Sequence, residues 1–486
     1  MTSFLISLAI LVGGYIVYGF IVDRIMATSS TTRMPAIEKR DDVDFRPMAP
    51  WRVFLIQFLN IAGIGPIFGA IMGIMFGPAA FLWIALGTIF AGGVHDFCAG
   101  VISIRMGGAS LPETVGRELG TGIKQFMRAF SVILLIFVAA VFVITPAGLL
   151  SAMTPDSMDT LFWIICIFAY YMLATLLPID KLIGNLYPIF GFALLFMAAG
   201  ILGVMLFSPD VTIPVSFDQS FASRMGDVKP VFPMMFVSIA CGAISGFHAT
   251  QSPMMARCLT NEKLARPIFY GAMVAEGIVA LIWAAAAVAF TGGYEQLAAY
   301  MAVDGHSAGT LVHDVSFGWL GAFGGVLAVL GVIAAPITTG DTALRSARLT
   351  VADLLHVSQK GIGRRLMVAV PIFAVTAIVM SVDYQVLWRY FAWSNQTLAV
   401  FTLWTVTVYL ARRGKPYIIS LIPAMFMTAV CSTYLLVAPT PEGFGLDHTL
   451  AVSIGATVSL LVTAMFFYSK SRLSAPESEL SPELWT

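Results

Sequence analysis

Asn60-Ile61-Ala62-Gly63-Ile64-Gly65-Pro66-Ile67-Phe68-Gly69 sits in the middle of an apolar run, yet a straight lipid-facing helix would not contain it. Proline at position 66 removes a backbone donor and loosens the carbonyls of the preceding turn. Broken backbone at mid-membrane depth is tolerated only when it is buried in protein or lines a cavity. A second stretch has the same character: Cys241-Gly242-Ala243-Ile244-Ser245-Gly246-Phe247-His248-Ala249-Thr250-Gln251-Ser252-Pro253. Its Ser252-Pro253 has the form of a helix start, an N-cap serine followed by proline at the first helical position. Taken singly, either stretch reads equally as a kink or a tight helix contact. Taken together, they match the paired interrupted helices that flank a transport site.

The rest of the chain fits a membrane setting. Of 486 residues, 58% are hydrophobic and 11% charged, against about 25% charged in soluble domains. This excludes an ordinary soluble enzyme, a nucleic-acid-binding protein and a disordered chain. Lys+Arg and Asp+Glu are both 27, so net charge says nothing about partners beyond the lipid bilayer. Apolar runs of about 20 residues predict an all-α polytopic protein. We place thirteen spans at 2–22, 51–76, 80–104, 124–150, 159–177, 182–207, 231–256, 267–291, 319–345, 364–381, 384–411, 415–437 and 449–469.

The two interrupted stretches fall in the second and seventh spans, five spans apart. Five is odd, so they run in opposite directions, as in two inverted five-helix repeats. The repeats would cover 51–207 and 231–411. Segment 1–22 is then an extra N-terminal span, 23–50 a polar cytoplasmic connection, 415–469 two extra C-terminal spans and 470–486 a tail. The segment 292–318 reads as a long outer loop with room for a short helix.

Lysine and arginine alternate cleanly between the connections. Those after the odd-numbered spans, with their flanking span ends and the tail, hold 23 of the 27 basic residues. The positive-inside rule puts the N-terminus outside and the C-terminus in the cytoplasm. The first span has no basic residue before it, so it reads as a retained helix and not a cleaved leader.

Several residues could carry chemistry. The half-helix starts after Gly63-Ile64-Gly65-Pro66 and at Ser252-Pro253 would offer backbone N–H groups to an anion. Ser245, His248, Thr250 and Gln251 stand beside them, and Asn395 and Gln396 on the eleventh span could form another wall. On the ninth span, Ala335, Thr338 and Thr339 are spaced i, i+3 and i+4, so one carbonyl and two hydroxyls share a face. They could hold a sodium ion against the second span, or simply bond to their own helix. His95, Asp96, His248, Glu276 and Asp341 are ionisable residues inside apolar runs, which is costly and points to a polar interior. His95, Asp96, Glu276 and Asp341 are candidate proton carriers. The alternatives are a structural pair for His95-Asp96, an anchoring role for Glu276, and a salt bridge from Asp341 to Arg345. Arg389, near the outer end of the eleventh span, either draws anions inward or reaches the headgroups. Cys98, Cys166, Cys241, Cys258 and Cys431 show no paired spacing, and the histidines no metal-ligand spacing.

With Gly92–Phe97 (GGVHDF), Gly108–Glu113 (GASLPE), Gly340–Arg348 (GDTALRSAR) and Trp393–Gln396 (WSNQ), the two interrupted stretches form an ordered set. That set resembles the carbon-starvation CstA family of bacterial membrane transporters, from the second span to the eleventh. The family is known as peptide permeases induced by carbon limitation, with close relatives associated with pyruvate uptake by cation symport. The resemblance implies an inner-membrane symporter for a small carboxylate-bearing nutrient, working by alternating access, without a cofactor. It also implies a distant likeness to the leucine-transporter fold. On that mapping Ala335, Thr338 and Thr339 match sodium ligands, with Ala62 and Gly65 as their unwound partners. An intramembrane hydrolase built on His95, Asp96 and His248, a nutrient sensor and a passive channel are the competing classes. No HExxH or GxSxG motif is present. The sequence leaves the oligomeric state open.

Overall fold

The computed structural model describes residues 2–42, 44–176, 179–209, 211–212, 224–225, 230–359, 361–440 and 442–471. Among these residues there are helices and loops and no strands. Helices occupy all thirteen expected stretches. Among the described residues, nine helices are long and apolar enough to cross a membrane, and the bent second stretch makes a tenth. The fifth is a shorter apolar helix, the seventh is split in two, and the eleventh, Tyr384–Arg412, is longer but more polar.

The second span breaks where glycine and proline put the break. Helix Pro50–Ile61 ends, three residues follow, and helix Gly65–Ile74 leaves at 45°. The seventh span breaks between Val231–Ser238 and His248–Ala256. Gly242 is the pivot, with φ of +95°, a region that costs a side chain strain but is open to glycine. The inner half therefore starts at His248, four residues before the expected Ser252-Pro253. Ser252 does not cap a helix. It lies one turn inside, where its Oγ donates to the His248 carbonyl at 3.0 Å.

The two breaks pack directly on each other. A Cβ on Gly65 would lie 2.4 Å from Cys241 Cβ and Sγ, one on Gly69 2.8 Å from the Ser238 carbonyl, and one on Gly242 3.5 Å from Pro66 Cα. Glycine at these places is a packing requirement.

The third span, Ala79–Arg105, and the eighth, in Glu262–Thr291, each contain one π-helical turn, Thr88–Gly92 and Arg266–Tyr270. A π turn holds one residue more than an α turn and leaves carbonyls free for other partners. The two are joined: Tyr270 in one donates to the Ile89 carbonyl in the other at 2.6 Å.

The ninth helix runs further than expected, over Ala308–Leu355, with non-helical backbone at Gly321. Together with a helix at Tyr294–Ala302, it takes up most of the segment expected as a long outer loop. It packs along the fourth span, Thr121–Met153.

Basic residues gather at one end of the bundle. Arg105 and Lys415 both donate to the Met26 carbonyl, Arg105 pairs with Glu262 at 2.6 Å, and Arg412 reaches the Arg117 carbonyl. Connections after the first, third, seventh and eleventh spans thus meet, as the alternation requires. Arg389 lies 2.6 Å from Glu442, so its charge has a carboxylate partner within the protein. In the tail, 472–486 lies outside the described residues.

Candidate functional site

Three spans converge where the second half of the seventh span begins. Asp96 of the third span bonds His95 Nδ1 through Oδ1 at 2.7 Å and His248 Nδ1 through Oδ2 at 2.8 Å. His248, the first residue of the inner half-helix, turns Nε2 to Glu276 Oε2 of the eighth span at 3.4 Å. All four side chains are fully buried. Ionisable groups so placed need one another, because isolated charge in this setting costs several kcal/mol. Three of the four expected proton carriers therefore meet, joined by His248. Asp341 does not belong to that line: it is buried beside Tyr171 of the fifth span. Its expected partner Arg345 instead donates to the Ala174 carbonyl at 2.8 Å and lies 3.8 Å from Asp44.

Cys241, His248 and Glu276 each bring a ligand-type atom within 4.8 Å of the others, a grouping that sequence spacing did not show. The Cys241 sulfur is already placed between Ser245 Oγ and Asn395 Nδ2, 3.6 Å from each. His248 is bracketed by two carboxylates.

The break itself is held by side chains from elsewhere. Asn395 Oδ1 accepts from the Phe247 N–H at 2.7 Å and from Ser245 Oγ at 3.1 Å. Gln396 Nε2 donates to the Ile244 carbonyl at 3.2 Å. Thr88, in the π turn, donates to the Gly242 carbonyl at 2.8 Å. Asn395 and Gln396, expected as a wall of the substrate site, thus take the place of the hydrogen bonds that the interrupted helix lacks. Ser245 is engaged with Asn395. Thr250 Oγ1 donates to the Phe247 carbonyl and accepts from Gln251.

Buried polar atoms with no hydrogen-bond partner among the described residues occur in many parts of the bundle. In the first half of the second span and the second half of the seventh they include both amide atoms of Gln57, Nδ2 of Asn60 and Oε1 of Gln251. Gln57 and Asn60 are i, i+3 neighbours on one helix face. Sequence reasoning named Gln251 but missed these two; an amide pair inside the run Leu55-Ile56-Gln57-Phe58-Leu59-Asn60 was the available signal.

At the expected cation position, Thr339 Oγ1 lies 2.8 Å from the Ala335 carbonyl, 3.2 Å from Asn60 O and 3.3 Å from Leu59 O. Thr338 Oγ1 also donates to Ala335 at 2.8 Å. The ninth span does meet the break of the second. The Leu59 and Asn60 carbonyls, in the last turn of the half-helix before the break, face it. Gly63 is close by, since a Cβ there would lie 3.2 Å from Thr339 Oγ1.

Toward the end opposite the basic cluster, a cavity of about 470 Å³ is lined by Phe68, Thr145, Met301, His306, Tyr384 and Trp388, among others. Thr145 Oγ1 and Tyr384 OH are 3.0 Å apart across it. Separately, on the basic side, a space among Thr250, Ser131 and Thr350 measures about 10 Å³, roughly the room one water needs.

The family profile for carbon starvation protein CstA matches residues 1–167, 151–319 and 306–434. The chain belongs to that family. An uncharacterized membrane protein of Haemophilus influenzae is 41% identical over 340 residues, 60% of this chain and 91% of its own length. The peptide transporter CstA of Helicobacter pylori is 26% identical over 574 residues, 90% of this chain and 82% of its own. The pyruvate/proton symporter BtsT of Escherichia coli is 26% identical over 324 residues, covering 54% of this chain and 45% of its own length. Among solved structures, the manganese transporter of Eremococcus coleocola aligns with a TM-score of 0.49 at 13% identity, over 90% of this chain and 99% of its own. With its apolar helices and these relatives, the chain is a multi-pass membrane protein.

Proposed function

We propose that the protein is a secondary transporter of the bacterial inner membrane that imports a small carboxylate-bearing nutrient, such as pyruvate or a short peptide, together with protons. The observation that carries this reading is the fully buried line His95–Asp96–His248–Glu276. Two imidazoles and two carboxylates buried together change their mutual attraction strongly when a proton is added or lost. His248 is also the first residue of the moving half-helix, so such a change acts on the break directly. The named relatives, a peptide transporter and a pyruvate/proton symporter, agree with it.

The N-terminus lies outside and the basic end faces the cytoplasm. The two inverted five-helix repeats are supported by a second correspondence: the second and seventh spans are both broken, and the third and eighth both carry a π turn. Substrate comes in from the cavity beside Trp388. It binds as the breaks separate, with Gly63 at the first half-helix start and Gln57, Asn60 and Gln251 as donors and acceptors. His248 sits at the second start.

Sodium coupling is the second reading, favoured by the oxygen cluster of Ala335, Thr339 and Asn60. Here the Thr339 hydroxyl lies within hydrogen-bond distance of those carbonyls, so ion binding requires its proton to point elsewhere while its oxygen becomes a ligand.

Uptake of labelled pyruvate and peptides into proteoliposomes tests both. A proton gradient should drive accumulation, and Glu276→Gln should abolish the response to it while facilitated exchange of substrate persists. Accumulation driven by sodium alone and lost in Thr339→Ala would transfer the coupling to the second reading. No accumulation under either gradient would leave a channel or a sensor.

A further inference from the structure

At the basic end, two arginines of the ninth helix are buried almost completely: Arg345 is 0% exposed and Arg348 1%. Arg345 donates to the Ala174 carbonyl at 2.8 Å, and Arg348 to Gln359. Both also face one carboxylate. Asp44 Oδ1 lies 3.8 Å from Arg345 Nη1 and 3.6 Å from Arg348 Nη2. A carboxylate that binds a guanidinium well comes to about 2.7–2.9 Å, so Asp44 sits between the two without fully engaging either.

Asp44 comes from the polar connection between the first and second spans, read from sequence as a simple cytoplasmic loop. It is instead packed inward. Asp41 Oδ1 accepts from the N–H groups of Asp44 and Phe45 at 3.0 and 2.9 Å. The Arg257 guanidinium covers the Phe45 ring at 4.9 Å. Arg46 N–H and Met48 N–H donate to the carbonyls of Arg257 and Cys258, at the end of the moving half-helix. Asp44 and Arg257 both line a cavity of about 390 Å³ that also includes Lys39, Asp353 and Gln359. Ser110, Arg257 and Leu349 are shared with the narrow space under Thr250. That cavity carries both signs, Lys39 and Arg257 against Asp41, Asp44, Glu113 and Asp353, so it is the Arg345–Arg348 pair beside Asp44 that concentrates positive charge.

We propose that Arg345 and Arg348 form an anion site at the inner mouth of the pathway, and that Asp44 is its tethered occupant while the mouth is closed. The ligand class is a small carboxylate. When the inner half of the seventh span moves, it draws on the connection through Arg46 and Met48 and withdraws Asp44. The outgoing carboxylate then takes its place between the guanidiniums. Removing Asp44 would otherwise leave two desolvated cations facing each other, an unfavourable state that an incoming anion relieves. The proposal rests on the transport reading for the nature of the ligand, but its geometry does not depend on which ion is coupled.

The test uses Thr350→Cys, whose side chain lines the narrow space, in inside-out vesicles with a membrane-impermeant maleimide. Added to Thr350→Cys, Asp44→Asn should raise the labelling rate several-fold, and Asp44→Glu should not. Pyruvate or acetate on the cytoplasmic side should slow labelling in the Asp44→Asn background, and Arg348→Gln should remove that protection. Equal labelling with and without Asp44→Asn would overturn the closing role of Asp44. Faster labelling without protection by either carboxylate would overturn the anion site. Labelling needs no uptake, so protection in a protein that fails to accumulate substrate would count against the transport reading alone.

Discussion

Gly65 shows how one residue's role shifts between pattern and packing. From sequence it reads as a place where backbone meets ligand. In the structure its Hα face lies against Cys241, with no room for a Cβ. Gly65→Ala should therefore destabilise the protein in the absence of any substrate, by about 1–3 kcal/mol for an overpacked contact. Cys241→Gly should restore part of it. Thermal unfolding of the purified protein checks both, and a Gly65→Ala protein of unchanged midpoint would return the residue to a ligand role. Asn395 makes the complementary case. Asn395→Ala leaves the Phe247 N–H and Ser245 without their acceptor inside the bundle, and about 1–3 kcal/mol should be lost.

At the scale of elements, the break in the second span was legible because its cause is local: Gly63, Gly65 and Pro66 are consecutive enough to be read in a line. The break in the seventh span was legible as a fact but misplaced. Ser252-Pro253 carries a strong local signature, yet the chain turns at Gly242, whose φ of +95° is sustained by Thr88 and Asn395, each about 150 residues away. Nothing in the segment announces those partners. The buried His–Asp–His–Glu line has the same origin. Its members could be picked out one by one as ionisable residues in apolar runs, but only the packing of three spans reveals that His248 joins them. Asp341 met the same sequence criterion, yet its buried position is near Tyr171 and outside that line. The π turns left no sequence signal that we read. The Tyr270 hydroxyl bond to the Ile89 carbonyl ties them together, and Tyr270→Phe should cost about 1 kcal/mol of stability. Its larger effect should be on turnover, because the third and eighth spans position Asp96 and Glu276. A transport rate that falls only in proportion to folded protein would limit Tyr270 to a packing role.

For the whole molecule, cavities lie toward both ends: an aromatic-lined one of about 470 Å³ on one side, and one of about 390 Å³ beside Asp44 at the basic end, next to the small space under Thr250. With the mouth at Thr250 closed, as proposed above, the aromatic-lined cavity is the one reached from outside. Met301→Cys should react with an impermeant thiol reagent added to intact cells. Asp42→Cys and Arg413→Cys should react only in inside-out vesicles, since their connections meet at the basic end. Labelling of Asp42→Cys and Arg413→Cys from opposite faces would break the proposed topology.

The paired π turns also constrain how this chain can change in length. Each α-helical residue turns the helix by about 100°, so losing one from a regular stretch swings everything beyond it to another face. A π turn already holds one residue more than an α turn. Deleting one residue from 88–92 would therefore tighten the turn to an ordinary α turn and leave His95 and Asp96 near their present register. The same holds for 266–270 and Glu276. What such a deletion removes is the widened turn itself, and with it the Ile89 carbonyl that accepts from Tyr270. Among related sequences, single-residue gaps within the third and eighth spans should therefore fall at these two turns and stay out of the regular helix on either side.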